Sequence, residues 1–285
     1  MHVIVHGGAG GAPTEPDARQ AVLDEAADAG AGADTVLDAV EAAIHVLESS
    51  PRFNAGIGGA VQSDGVVRTD AGIMTSDRDA GAACSMPGVE HAVSVARVVL
   101  AETPHVLVSG AHAVDLASAF GVETGVDLWT DRSRERWANL DGRPESSDPR
   151  AHLDWLRAEF GGSDTVGAVA FDGETVAAAT STGGRWLALA GRVGDVPQIG
   201  SGFYASPAGG ASATGAGEDI AKVTLTRRAV RHLEAGDDAQ RAADRAIEEF
   251  GELTGSSAGV ILLDRDGNAG SAYNSETMQT SVAHR

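Results

Sequence analysis

The stretch from Gly161 to Gly184, GGSDTVGAVAFDGETVAAATSTGG, limits what the whole chain can become. A polar Gly-Gly-Ser-Asp lead runs into a threonine and a buried strand from Val166 to Phe171. A turn at Asp172-Gly173 follows, then a second strand from Thr175 to Thr180 and the hydroxyl-rich exit Ser181-Thr182-Gly183-Gly184. Thr165 therefore stands at the first position of a core strand, directly after a flexible polar segment.

A threonine hydroxyl is a poor nucleophile unless a base removes its proton. The nearest possible base is the residue's own α-amine, which titrates near ~7.7–8.0 when free and is an amide inside a chain. Cutting the Asp164–Thr165 bond would create the base and leave the nucleophile at the free end of a rigid strand. On this stretch alone Thr165 reads first as a β-branched strand residue.

At 285 residues and 42% hydrophobic content the chain can build a substantial core. Its 37 glycines, against 6 Phe, 4 Trp and 2 Tyr, point to tight turns and small-residue layers. No run approaches the ~18 apolar residues of a membrane span, and no charged-then-apolar signal pattern opens the chain, so the expectation is a soluble cytoplasmic protein. Net charge is −20, and of 21 basic residues only Lys222 is a lysine. That pairing predicts a surface hydrated in concentrated salt, hence a halophilic source, and argues against nucleic acid or anionic membrane as partners. Cys84 is the only cysteine, which excludes an internal disulfide and a cysteine metal cluster.

From the amino terminus, His2 to Val5 reads as a strand leading into His6-Gly7-Gly8-Ala9-Gly10-Gly11. This turn lacks the spacing of a dinucleotide or P-loop motif, so the glycines are read as letting the backbone pass close to another element. Pro16 to Ala29 is helical, and Asp34 is the expected cap of a second helix with Val36, Leu37, Val40, Ile44 and Leu47 on one face. The loop Arg52-Phe53-Asn54-Ala55-Gly56-Ile57-Gly58-Gly59 is either an ordinary connection or one whose carbonyls turn inward toward a cation. A hairpin at Gln62 to Gly65, a strand through Asp70 to Met74, helices at Glu90 to Ala101 and Ala111 to Phe120 and a strand at His105 to Val108 make a mixed first half. His45, His91, His105 and His112 lack metal-ligand spacing to another histidine or cysteine and are read as surface or helix-end residues.

From about Gly121 to Asp164 the chain is polar, charged and turn-rich, the texture of a mobile linker with poor packing prospects. A linker ending at Asp164 is what processing before Thr165 would need. Further on, Arg192 and Asp195 lie three apart in a glycine-bounded loop and suit either one zwitterion or a surface ion pair. Thr214-Gly215-Ala216-Gly217 opens a helix that carries Ile220, Val223, Val230 and Leu233; it offers oxyanion-hole donors or a simple cap. A helix from Asp237 to Phe250 and strands at Ala258 to Leu263 and Ala269 to Tyr273 finish the chain.

Seven segments in order, HGGAG, LESSPRFNAGIG, TDAGIM, DTVGAVAFD, AAATSTGG, GRVGD and TGAGE, resemble the plant-type asparaginase and isoaspartyl peptidase family of N-terminal nucleophile hydrolases. The resemblance implies an α+β fold, the four-layer αββα sandwich, and a single domain made as a precursor. Self-cleavage would give an α-subunit, 1–164, and a β-subunit, 165–285, assembled as a homodimer of αβ units. Thr165 would be the nucleophile, with Thr182 and Asn54 holding its hydroxyl. Arg192 would bind the substrate α-carboxylate and Asp195 its α-ammonium, with Gly217 anchoring the substrate. The Thr214 hydroxyl and the Gly215 N–H would form the oxyanion hole.

The resemblance implies no catalytic cofactor, but a structural sodium on the carbonyls of Leu47, Glu48, Ser50, Phe53, Ala55 and Ile57. The implied substrates are asparagine and β-aspartyl dipeptides, cleaved through a threonine acyl-enzyme. Two positions depart from the pattern. Asp164 stands where most members carry glycine, as in the related glycosylasparaginases and threonine aspartases. Ala216 stands where a second threonine is common. The rival readings are one of those enzymes on the same fold, or a silent aspartate-binding protein.

Overall fold

The computed structural model describes residues 1–142, 144, 148–159 and 165–285, with only the backbone of 149 and 157–159; Asp164, and with it one side of the expected cleavage site, lies outside the described residues. In chain order the first half carries β1 (His2–Gly10), α1 (Pro16–Ala31), α2 (Val36–Glu48), β2 (Arg68–Thr75), β3 (Ala80–Pro87), α3 (Ala92–Glu102), β4 (Leu107–Ser109) and α4 (Gly110–Ala119). Then come α5 (Asp131–Ala138), α6 (Pro149–Glu159), β5 (Val166–Phe171), β6 (Val176–Thr182), β7 (Phe203–Ser206) and β8 (Gly209–Gly215). The chain closes with α7 (Gly217–Val223), α8 (Leu225–Glu234), α9 (Ala239–Thr254), β9 (Ala258–Asp264), β10 (Ala269–Tyr273) and β11 (Thr277–His284).

The strands form a seven-stranded sheet ordered β11-β1-β5-β6-β2-β3-β4 and a four-stranded sheet ordered β10-β9-β8-β7. Helices α1 to α4 lie on one face of the larger sheet, α8 and α9 on the outer face of the smaller, and the two sheets pack on each other. This is the α+β, four-layer αββα sandwich expected of the chain. The interior splits accordingly. A helix-side core includes Leu23, Ile44, Leu47 and Ile73, an inter-sheet core includes Ile4, Val169, Phe203 and Ile261, and a core under α8 and α9 includes Leu225, Phe250 and Leu262. Burying one such large side chain contributes roughly 1.5–3 kcal/mol.

Small residues set the layer spacing. A Cβ on Gly72 of β2 would lie 2.0 Å from the Phe203 ring, and one on Gly7 of β1 would lie 2.5 Å from Phe53. The glycines of HGGAG thus serve close approach, but within a strand and not a turn: β1 runs through them to Gly10, with a register shift between His6 and Ala9.

Several local expectations change. Thr35 caps α2, its hydroxyl accepting the Asp38 N–H at 3.2 Å, in place of Asp34. The helix expected across Ile220 to Leu233 is two, α7 and α8, divided at Thr224, whose φ of +53° breaks the helical path. β11 is an additional edge strand that pairs antiparallel with β1. Part of the segment read as a poorly packing linker is packed: Leu128, Trp129, Trp137, Trp155 and Leu156 cluster with Trp186 and Leu187 from the loop after β6. Thr130 and Ser133 close a capping box on α5, and the Arg136 guanidinium lies 4.0 Å over the Trp186 ring. All 4 tryptophans of the chain meet here, and the charges interleaved among them hid their common face.

Candidate active site

The β5–β6 hairpin places the central pair. Val166 faces Ser181 in the antiparallel register, so Thr165, one residue earlier, comes opposite Thr182 at the end of β6. Thr165 is 4% exposed, and its hydroxyl points at the Thr182 hydroxyl across 3.5 Å. Thr182 Oγ1 in turn donates to the Asn54 main-chain carbonyl at 3.4 Å and accepts the Gly184 N–H at 3.1 Å. Asn54 locks the exit of β6 in place. Its Nδ2 donates to the Gly184 carbonyl at 2.6 Å, its Oδ1 accepts from the Ala60 N–H, and its carbonyl accepts from the Gly183 N–H. Asn54 is thereby joined to Thr165 through Thr182. Gly56 and Gly58 hold the loop in positive-φ turns.

Thr214 and Gly215 end β8, and the turn read at this point begins only after them. Thr214 is fully buried, and its Oγ1 accepts the Ala9 N–H at 3.3 Å, which leaves its hydroxyl hydrogen for another acceptor. Gly215 has φ +135°, and a Cβ there would lie 2.6 Å from Ala258 Cα.

Arg192, Asp195 and Gly217 converge. A Cβ on Gly217 would lie 2.5 Å from Asp195 Oδ1 and 3.0 Å from Arg192 Nη2, so glycine is what lets the start of α7 come against both side chains. Arg192 pairs with Glu218 at 2.8 Å and not with Asp195, which sets aside the simple ion-pair reading. Among the described residues, Asp195 Oδ2 is buried without a hydrogen-bond partner. Burial pushes the Asp195 carboxyl up to about 7 against the pull of its own backbone N–H and of Arg192, with Glu218 and Asp70 adding to the rise. An ammonium group delivered to Oδ2 would satisfy the oxygen and reverse that shift.

Two further groups belong to this neighbourhood and were passed over in the sequence, where each appears only inside a motif. Asp70 pairs with Thr182 across β2 and β6, which puts Thr165, Thr182 and Asp70 in one row on one face. It is 2% exposed, accepts the Ser85 N–H at 2.7 Å, and burial raises its carboxyl to about 7 despite that bond and the field of Arg192. His6 is buried beside the Thr165 main chain, and burial pushes it down to about 3, so its ring is neutral. His6 Nε2 meets Ser212 Oγ at 2.9 Å, and Ser212 meets Thr180 Oγ1 at 2.8 Å, a polar chain beneath the strand that follows Thr165. Cys84 is buried and its thiol is raised to about 12, first by burial and then by Asp70, which makes it an inert small side chain.

Beside Asn54 opens a cleft of about 370 Å³ lined by Gly59, Trp186, Arg132 and Arg136 among others. Taken together, the site pairs a shielded threonine hydroxyl with a buried carboxylate and arginine that suit a small zwitterion. A family model described as Asparaginase matches residues 1–285. The plant-type L-asparaginase of Pyrococcus abyssi is 41% identical over 298 residues, covering 97% of this chain and 94% of that protein. The isoaspartyl peptidase/L-asparaginase of Homo sapiens is 35% identical over 293 residues, covering 99% and 92%. The chain belongs to the asparaginase family, and so to the amide hydrolases.

Proposed function

We propose that the chain hydrolyses the side-chain amide of L-asparagine and of β-aspartyl dipeptides, releasing L-aspartate through a threonine ester. The names of the relatives support the substrate class. The convergence of Arg192, Asp195 and Gly217 beside an orphaned buried carboxylate oxygen carries the reading for this chain. The substrate α-carboxylate would displace Glu218 from Arg192, and its α-ammonium would pair with Asp195.

In this reading the chain first cuts itself between Asp164 and Thr165, so that the Thr165 amine is free to act as base. The amine takes the Thr165 hydroxyl proton as Oγ1 attacks the substrate Cγ. The oxyanion is held by the Thr214 hydroxyl and the Gly215 N–H, and Thr182 orients the attacking oxygen. Collapse breaks the C–N bond, the ammonium returns its proton to the departing ammonia or amine, and water then cleaves the ester by the same route. The αβ units would pair as a homodimer in the cytoplasm of a halophile.

The carbonyls of Leu47, Glu48, Ser50, Phe53, Ala55 and Ile57 would hold a structural sodium. The loop suits one: Leu47, Glu48 and Ser50 carbonyls each accept a loop N–H and keep a second lone pair, while Gly56 and Gly58 turn the chain back on itself. A bound ion would stiffen the segment that carries Asn54.

Aspartate release from L-asparagine, β-aspartyl dipeptides and glycosylasparagine, measured in parallel on the native protein and Arg192→Ala, tests the proposal. Turnover of the first two with a large rise in KM for the variant is expected. Turnover of glycosylasparagine alone, or aspartate binding without turnover, overturns it.

A further inference from the structure

His45 and His91 lack metal-ligand spacing in the sequence and stand at helix ends, yet they meet. Their rings lie 4.2 Å apart between centroids, and with Glu48 they offer ligand atoms that all fall within 4.8 Å of one another. His45 and Glu48 are one turn apart at the end of α2, and His91 stands at the start of α3.

Glu48 makes the cluster unusual. It is fully buried. Its Oε1 is well satisfied by the Ser181 hydroxyl at 2.6 Å and the Val93 N–H at 3.1 Å. Its Oε2 faces His91 Nδ1 at 3.4 Å, long for a charge-assisted hydrogen bond, whose usual length is about 2.7–2.9 Å. A buried carboxylate oxygen held this loosely is costly unless something cationic completes it.

The surroundings orient both imidazoles. His45 is held by Ser94 Oγ at 2.7 Å, and Ser94 donates to Glu41 at 2.6 Å. His91 Nε2 faces Glu90 at 3.8 Å, which leaves Nδ1 turned toward Glu48. Imidazoles backed by carboxylates, directly or through a hydroxyl, are the usual outer support of metal-binding histidines.

We infer that His45, Glu48 and His91 form a binding site for a divalent transition-metal ion of the zinc class. Two imidazole nitrogens and one carboxylate oxygen suit a tetrahedral ion with water as its fourth ligand. Bonds of about 2.0–2.1 Å bring ligand atoms to roughly 3.3 Å apart. The required closure falls on the histidines, whose side chains are 36% and 32% exposed, while Glu48 stays fixed. The site is separate from the loop carbonyls proposed for sodium, since it uses the Glu48 side chain. Ser181 and Thr182 are successive residues of a strand and point to opposite faces, so the ion would lie on the helix side of the sheet, behind Thr182. It would staple α2, α3 and β6 and take no part in bond breaking.

The test uses chelator-treated full-length protein titrated with Zn2+ by calorimetry and with Co2+ by visible absorption, followed by thermal melts with and without Zn2+. One equivalent bound, a tetrahedral Co2+ spectrum and a rise in Tm are expected. The double variant His45→Ala/His91→Ala should weaken binding about 100-fold or more. His2→Ala, which removes a stacked histidine pair elsewhere, His2 and His284, should leave it unchanged. Absence of a stoichiometric Co2+ or Zn2+ complex in the native protein overturns the inference whether or not the double variant folds, and leaves a hydrogen-bonded triad only. Binding that survives in a folded double variant overturns it as well.

Discussion

The hydroxyls of Thr165, the residue before β5, and Thr182, the last residue of the antiparallel β6, face each other across 3.5 Å, both almost wholly buried. The hairpin register fixes that distance, so Thr182 can orient the Thr165 oxygen with no rearrangement. Thr182→Ser, which keeps the hydroxyl, is expected to retain most activity. Thr182→Val should lower kcat about 10²–10³-fold, the usual loss for a preorganised polar group, with little change in KM. Steady-state kinetics on L-asparagine distinguish the two; a fully active Thr182→Val removes Thr182 from the mechanism.

Gly217→Ala tests the substrate end. Its Cβ would stand 2.5 Å from Asp195 Oδ1, and overpacking of this kind costs typically about 1–3 kcal/mol. Because Gly217 is not in a positive-φ conformation, the helix itself should tolerate alanine. The expected result is a KM raised about tenfold or more with a Tm lowered by only a few degrees. An unchanged KM would place the substrate elsewhere.

The pH dependence follows from Asp195 and Asp70, both raised to about 7 by burial. An Asp whose folded pKa lies above its unfolded value of ~3.9 binds protons more tightly when folded. Its contribution to stability is complete below ~3.9 and is lost as pH rises through about 7. Tm should therefore fall between about pH 4 and pH 7, and less so in Asp195→Asn. Binding of L-aspartate should run the other way, since in the proposed pose its ammonium pairs with ionised Asp195. Calorimetry should show Kd tightening with rising pH, by at most about tenfold per unit. Asp70→Asn removes a charge that holds Asp195 up, so it should move that midpoint downward. A pH-independent Kd in the native protein contradicts this account.

The β5–β6 hairpin was legible because both strands are short apolar runs joined at an Asp-Gly turn, and buried strands leave that pattern. With it came Thr165 and Thr182, while Arg192 and Asp195 stood out as opposite charges in a glycine-bounded loop. Thr224 was not legible, since a left-handed threonine carries no composition signal. β11 escaped because its half-exposed face mixes Thr, Gln and Ser with apolar residues. Asp70 hides in a strand that otherwise reads as core. His91 and Glu48 are 43 residues apart, and spacing rules see only ligands close in sequence. What sequence lacked in each case was the pairing between distant elements.

Salt dependence follows from the surface. With a net charge of −20 and Lys222 as the one lysine, self-repulsion is screened only when the Debye length is short, ~3 Å at 1 M against ~30 Å at 0.01 M. Activity and Tm should both fall on dialysis from molar salt to low salt. Full activity at low salt would remove the halophilic reading.

Thr165 can act as proposed only with its amine free, and denaturing intact-mass analysis of fresh and aged protein beside Thr165→Ala examines that directly. The account predicts fragments of residues 1–164 and 165–285 that accumulate with time in the native protein and are absent from the variant. An active native protein that remains a single intact chain would contradict it, because its Thr165 nitrogen would still be an amide.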